Sequence, residues 1–160
     1  MTSKHQHVWE LIESIKTAML VTHDGETLRA RPMQIVQDEF DGILYLFTER
    51  SSAKVYEAQA NRQVCLTFQD NDNKSQVSLS GRANVTNNQV KIDELWNSNV
   101  SAWFKQRKES PDLVLLAIEI DAGEYWEVTT NKVVQLYEVV KANLTDTTPD
   151  IGDHAKVNMH

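Results

Sequence analysis

Residues 17–37, TAMLVTHDGETLRARPMQIVQ, decide the fold class. Residues 17–22 form a short apolar run, and His23-Asp24-Gly25-Glu26 supplies the Asp-Gly pair that favours a tight hairpin. Residues 27–37 then run back, so two antiparallel strands are expected. Pro32 stands in the middle of the second strand and has no N–H to give to a ladder. That strand should therefore lie at an edge, at a bulge or where the sheet opens.

Upstream, Val8, Leu11, Ile12 and Ile15 fall on one stripe at helical spacing, with Thr2 or Ser3 available as a cap, which predicts an amphipathic helix. Downstream, the turn cluster of residues 38–42 leads into residues 43–48, a nearly unbroken apolar and aromatic strand whose two faces should both be covered. Ser51, Ser52, Ala53 and Lys54 open a helix through about residue 60, and residues 63–69 and 76–85 read as strands around a polar loop. Residues 90–96 and 102–106 read as helical, Pro111 closes that region, and residues 113–120 and 123–129 read as the last strands. Val133, Val134, Leu136, Tyr137 and Val140 recur at roughly helical spacing within residues 131–142, predicting a helix docked on the domain. Strands joined mostly by turns, with short helices inserted, indicate a mainly β protein: a small antiparallel barrel or sandwich rather than a doubly wound parallel sheet. Residues 1–142 are read as one domain with flanking helices, and residues 143–160, with Pro149 and Gly152, as a polar C-terminal surface tail.

Composition narrows the function. A chain of 160 residues that is 41% hydrophobic can bury a continuous core without metal or disulfide staples. Its 16 Lys+Arg against 23 Asp+Glu give a formal charge of -7, which repels nucleic-acid backbones and anionic lipid. A small anionic ligand stays open, because a few well-placed donors decide its binding. The single cysteine, Cys65, lies in the apolar run of residues 64–68 and can form no intrachain disulfide; it reads as a small buried hydrophobe in a reduced, cytoplasmic setting. No uninterrupted apolar run of about 18 residues occurs, so neither secretion nor membrane spanning is expected.

The chemistry-bearing segments are Arg29-Ala30-Arg31-Pro32-Met33 and the stretch from Phe47 through Thr48 and Ser52 to Lys54. If Ser52 begins a helix, its hydroxyl and the free N–H groups of the first turn can meet an anion, while Lys54 and an arginine from the neighbouring strand add charge. The plain alternative is that Ser52 only caps the helix and that Lys54 and Arg31 are solvated. Ser51 and Lys54 also spell the S-x-x-K of serine acyl enzymes, but the companion S-D-N and K-T-G elements are missing. The five histidines contain one close pair, His5-x-His7, which makes a metal site unexpected. There is no P-loop and no G-x-G-x-x-G run. Trp9, Trp96, Trp103 and Trp126 default to core packing.

Taken in order, Ala18-Met19-Leu20-Val21-Thr22, Arg31-Pro32-Met33, Phe47-Thr48 with Ser52-x-Lys54, Val77 through Ser80-Gly81-Arg82-Ala83, Leu95-Trp96, Ala102-Trp103-Phe104, Pro111-Asp112-Leu113 and Tyr125-Trp126 resemble the pyridoxamine 5'-phosphate oxidase-like flavin-binding split barrels, and within them the general stress protein 26 branch. The resemblance covers nearly the whole chain. It implies a six-stranded antiparallel split β-barrel that pairs into a homodimer, with two FMN sites at the subunit interface, FAD being the other flavin to consider. By the same resemblance Arg31 is similar to the motif arginine beside the flavin, Met33 to a residue lining the isoalloxazine, and Ser52 and Lys54 to the phosphate ligands. Phe47 and Thr48 resemble the strand-end pair beside them, Gln76 a glutamine near the flavin ring, and Trp126 the aromatic residue supplied by the partner subunit. Pro32 interrupts pairing where a flat ligand has to approach, in agreement with that transfer. Residues 105–109, Lys-Gln-Arg-Lys-Glu, replace the branch's usual proline-and-glycine stretch, so the substrate-side rim is expected to differ.

The implied function is that of a flavin-dependent oxidoreductase-like stress protein drawing on NAD(P)H or another small redox substrate, with no side chain nominated as catalytic acid or base. The alternative is a flavin carrier or buffer, or a haem-binding module on the same fold. Oxidation of pyridoxamine phosphate itself is disfavoured, because a longer basic C-terminal region that resembles those of the vitamin-forming oxidases is lacking.

Overall fold

The computed structural model describes residues 3–105, 108–129 and 132–159. Thr2, Gln106, Arg107 and Asn131, which enter the expectations above, lie outside the described residues. Helix α1 (Lys4–Ile15) is capped by Ser3, whose side chain accepts from the Gln6 N–H, and it buries Val8, Trp9 and Ile12. Strands β1 (Thr17–His23) and β2 (Leu28–Gln34) form the expected hairpin, in register from Thr17 opposite Gln34 to His23 opposite Leu28. Its turn is held by the Asp24 carboxylate, which accepts from the N–H groups of Glu26 and Thr27, and by Gly25 at φ 101°. Those backbone bonds, first that from Thr27, lower the Asp24 pKa to about 2.

The remaining elements are β3 (Ile43–Glu49), α2 (Ala53–Ala60), β4 (Gln63–Asp70), β5 (Ser75–Thr86), α3 (Gln89–Leu95), α4 (Ser98–Trp103), β6 (Leu113–Val128), α5 (Lys132–Thr145) and β7 (Gly152–Asn158). All strand pairings are antiparallel, in the order β2-β1-β4-β5-β6-β3 with β7 also on β6. The sheet has seven strands, six along the order and β7 off it. Two expectations are corrected here. Residues 152–158, read as part of a polar tail, are a strand paired with residues 122–128, so β3 and β7 lie end to end along one side of β6. And the two strands expected over residues 113–129 are one, because a bulge takes up Asp121 where Ser80 faces Ala122 and Gly81 faces Ile120.

Pro32 sits on β2, an end of the strand order, where its missing donor costs no ladder bond to a further strand. β3 is buried on both faces, as expected. Leu44 and Leu46 join Leu20, Leu66, Phe68, Leu79 and the α1 side chains in the main core, while Tyr45 and Phe47 point to a second cluster with Ile92, Leu95, Val100 and Leu115 beneath α3 and α4. This split at β3 matters for the site, because Phe47 and Thr48 leave the strand on opposite faces.

The tryptophans divide as well. Trp9 is buried and stacks on Phe40, and Trp96 packs edge-on to Phe47, but Trp103 and Trp126 are exposed rather than in the core. Cys65 is half-buried, with its sulfur 3.5 Å from the Ser78 hydroxyl, rather than fully enclosed. The apolar stripe of α5 does not dock on the chain's own core: Leu136, Tyr137, Val140 and Leu144 are exposed. Among the described residues, no helix is long and apolar enough to cross a membrane.

Candidate functional site

β1, β2, β3 and α2 converge at one end of the main core, and there they bring together Arg31, Thr48, Ser52 and Lys54. The Lys54 ammonium donates to the Thr48 hydroxyl at 3.1 Å, and the Thr48 and Ser52 hydroxyls lie 3.2 Å apart. Ser52 is the N-cap residue of α2, yet its side chain makes no capping bond, so the hydroxyl is turned to Thr48 instead of to the helix. The first-turn N–H groups of an α-helix have no partners within the helix and carry its partial positive charge.

Arg31 is more committed than the sequence suggests. Its guanidinium donates to the Leu20 carbonyl at 3.3 Å, to the Thr22 hydroxyl and to the Glu57 carboxylate at 2.8 Å. Glu57, on the buried face of α2, also accepts from Thr22 and lies 3.6 Å from Arg29. The Thr22 hydroxyl first, and then Arg31, hold the Glu57 carboxyl below the usual glutamate range despite its burial. Lys54 is pushed the other way. Burial, and then the charge of Arg31, lower its pKa from the ordinary lysine value. Two cations thus share one end of the domain, Arg31 paired with a buried carboxylate and Lys54 not, and an anion at Lys54 offsets both the cost of its burial and the repulsion from Arg31.

Met33 and Phe47 meet elsewhere. They line a cavity of about 340 Å³ walled by Val36, Val100, Trp103 and Phe104, with Asn97 and Asn99 as polar edges. Gln76 and Trp126 are opposite each other across β5 and β6 and line a separate depression of about 530 Å³ with Ile15, Met19 and Thr67. Trp126 is 38% exposed, and its indole stacks at 5.2 Å on the His154 ring. The eight expected site residues therefore form three groups in one chain: Arg31, Thr48, Ser52 and Lys54; Met33 and Phe47; Gln76 and Trp126.

The family model for pyridoxamine 5'-phosphate oxidase like proteins matches residues 3–150. The chain belongs to this family. Among solved structures, it is similar to a protein named general stress protein 26 from Jannaschia sp. CCS1, at 26% identity over 94% of each chain with a TM-score of 0.73. It is also similar to the general stress FMN/FAD binding protein of the phytopathogen Xanthomonas citri, at 27% identity over 78% of this chain and 89% of that one, TM-score 0.70. The general stress protein 26 of Bacillus anthracis str. Sterne shares the fold, with 24% identity over 74% of this chain and 93% of that one and a TM-score of 0.64. No curated protein matches the chain.

Within this pyridoxamine 5'-phosphate oxidase-like chain, Glu57 and Thr22 are site residues that sequence reasoning missed. A signal existed for Glu57, since it follows Lys54 by three residues on the same helix and so shares its side. Asn97, whose side chain also caps α4 by accepting from the Val100 N–H, carried no signal beyond its capping role.

Proposed function

We propose that this chain binds FMN, with the phosphate at Lys54, Ser52, Thr48 and the start of α2 and the ring system against Met33 and Phe47. The observation that carries this reading is the Lys54 ammonium, half-buried beside a second cation and donating to the Thr48 hydroxyl, at a helix start whose Ser52 side chain is not used as a cap. Such a grouping suits a phosphate monoester, whose oxygens can take the ammonium, the two hydroxyls and a first-turn N–H together. The relative from Xanthomonas citri, named for FMN/FAD binding, supports the choice of a flavin.

The finer reading is a split barrel of six strands, with β7 added to its edge, that pairs with a second copy so that Gln76 and Trp126 of one copy complete the site of the other. Its support is that these two residues line a different depression from Met33 and Phe47. A bound flavin supplies the electron-transfer chemistry that side chains lack, so the oxidoreductase role rests on it, with NAD(P)H as the proposed donor in a reducing cytoplasm. The chain's own residues hold the phosphate, set the ring against an apolar wall and exclude water there.

The experiment is titration of the apo-protein with FMN and, in parallel, FAD, followed by flavin fluorescence. Lys54→Ala should weaken FMN binding by about 1–3 kcal/mol, the scale of a charge-assisted hydrogen bond. An unchanged titration overturns the phosphate assignment. FMN-dependent consumption of NAD(P)H by the loaded protein separates an enzyme from a flavin carrier.

A further inference from the structure

Strand β7 sets one of its side chains against a residue of the candidate site. The register of the sheet puts Gln69, Gln76, Trp126 and His154 in a single row across β4, β5, β6 and β7, each opposite the next. Residues opposite one another on neighbouring strands share a face, so the Trp126 indole stands between Gln76 on one side and His154 on the other. The His154 ring lies parallel to the indole, at an interplanar angle of 5° and a centroid distance of 5.2 Å, an offset stack on one of its faces. The second face is left to the depression that Met19, Gln69 and Gln76 line together with Trp126. None of the side chains lining that depression carries a charge, which suits the flat, neutral ring system of a flavin better than its phosphate.

His154 is itself held in place. Its Nε2–H donates to the Glu124 carboxylate, two residues before Trp126 on β6 and on the same face, and this bond fixes the plane of the imidazole. The strand that carries His154 is anchored by other means. Val157 is buried in the main core, Ala155 packs against that core, and the Asn158 carbonyl lies 2.7 Å from the His5 Nε2. β7 therefore stays on β6 without help from the His154 side chain, which is 50% exposed. The effect of the imidazole falls on the indole instead. A tryptophan side chain on an open sheet surface turns about two bonds, and a ligand that stacks on it has to arrest that motion, whereas an indole already stacked gives up less.

We infer that His154 is a positioning residue of the flavin site, acting by holding Trp126 as a fixed stacking face. This rests on the reading that Trp126 belongs to a flavin site, and the two fail in different ways. The test is FMN titration of the full chain as apo-protein, followed by flavin fluorescence, in a double-mutant cycle of His154→Ala and Trp126→Ala with His154→Phe as a further variant. His154→Ala should weaken FMN binding about three- to tenfold, the effect of one side chain fixed in advance. Trp126→Ala should weaken it at least as much, and the double variant should be no weaker than Trp126→Ala, because His154 acts only through the indole. His154→Phe keeps a flat ring against Trp126 and should bind FMN within about twofold of wild type. An unchanged titration of His154→Ala, losses that add in the double variant, or a His154→Phe chain as weak as His154→Ala overturns the inference while leaving Trp126 in the site. If Trp126→Ala itself binds FMN like wild type, the shared-site reading falls and the inference falls with it.

Discussion

The Glu57 carboxylate lies 2.8 Å from the guanidinium of Arg31, so a side chain expected to reach for a ligand is already braced by a buried acid on α2. Removing the charge in Glu57→Gln leaves Arg31, itself only 20% exposed, without its anion. The cost should be about 1–3 kcal/mol of stability at neutral pH, below the range for fully buried pairs because Arg31 keeps some solvent. Denaturant unfolding of the two proteins measures it. The pH dependence has a definite sign. The folded Glu57 pKa is lowered, so its contribution is fully present above the unfolded glutamate value of about 4.3 and is lost as pH falls through the folded value. The gap between wild type and Glu57→Gln should therefore be widest near neutrality and close in acid.

Lys54 works in the opposite direction at the alkaline end. Burial and the Arg31 charge lower its folded pKa, so near its titration the unfolded chain holds more protons than the folded one, and stability from this group rises with pH toward the ordinary lysine value of 10.5. Lys54→Met should abolish that rise, which thermal unfolding between neutral and alkaline pH will show. Phosphate binding needs the charged form, so FMN affinity should fall over the same range in wild type. The fall should be absent from the weakened binding of Lys54→Met.

Much of this was legible because local rules and tertiary demands agree. The Asp24-Gly25 hairpin, the doubly covered β3 and the edge placement of Pro32 each follow from one residue's conformational or hydrogen-bonding limits. What was not legible came from partners far away in sequence. Residues 152–158 are polar and alternate weakly, and they become a strand because the second half of β6 has an edge to pair. Asp121 looked like a break between two strands, whereas the bulge absorbs it and Arg82 binds its carboxylate, with a nitrogen-to-oxygen distance of 3.0 Å. At the site, Lys54, Ser52 and Thr48 were readable as a short local pattern. The tie from Arg31 to Glu57 needed α2 folded onto β1 and β2, which periodicity alone does not specify.

The bulge also sets a sharp steric prediction. A Cβ built on Gly81 meets the Glu119 carbonyl oxygen at 2.3 Å, and that atom is backbone, so no side-chain rotation relieves it. Gly81→Ala should cost about 1–3 kcal/mol by overpacking, read as a lowered denaturation midpoint. Because β5 runs on to Gln76, an altered register there should also shift the Trp126 fluorescence.

The separation of Lys54 from Trp126 within one chain allows the shared-site reading to be tested by complementation. Suppose each flavin site takes Lys54 from one copy and Trp126 from the other. Lys54→Ala and Trp126→Ala each then damage both sites of their own homodimer. In a mixed dimer one site collects both defects, while the other receives the intact Lys54 of the Trp126→Ala chain and the intact Trp126 of the Lys54→Ala chain. Co-expression of the two variants with random pairing should restore wild-type FMN affinity at about one site in four, since half the dimers are mixed and each offers one intact site. Titration of the co-expressed pool should then be biphasic, with a tight phase missing from either variant alone. If both residues serve the same chain's site, every site carries one defect, and no tight phase appears at any mixing ratio.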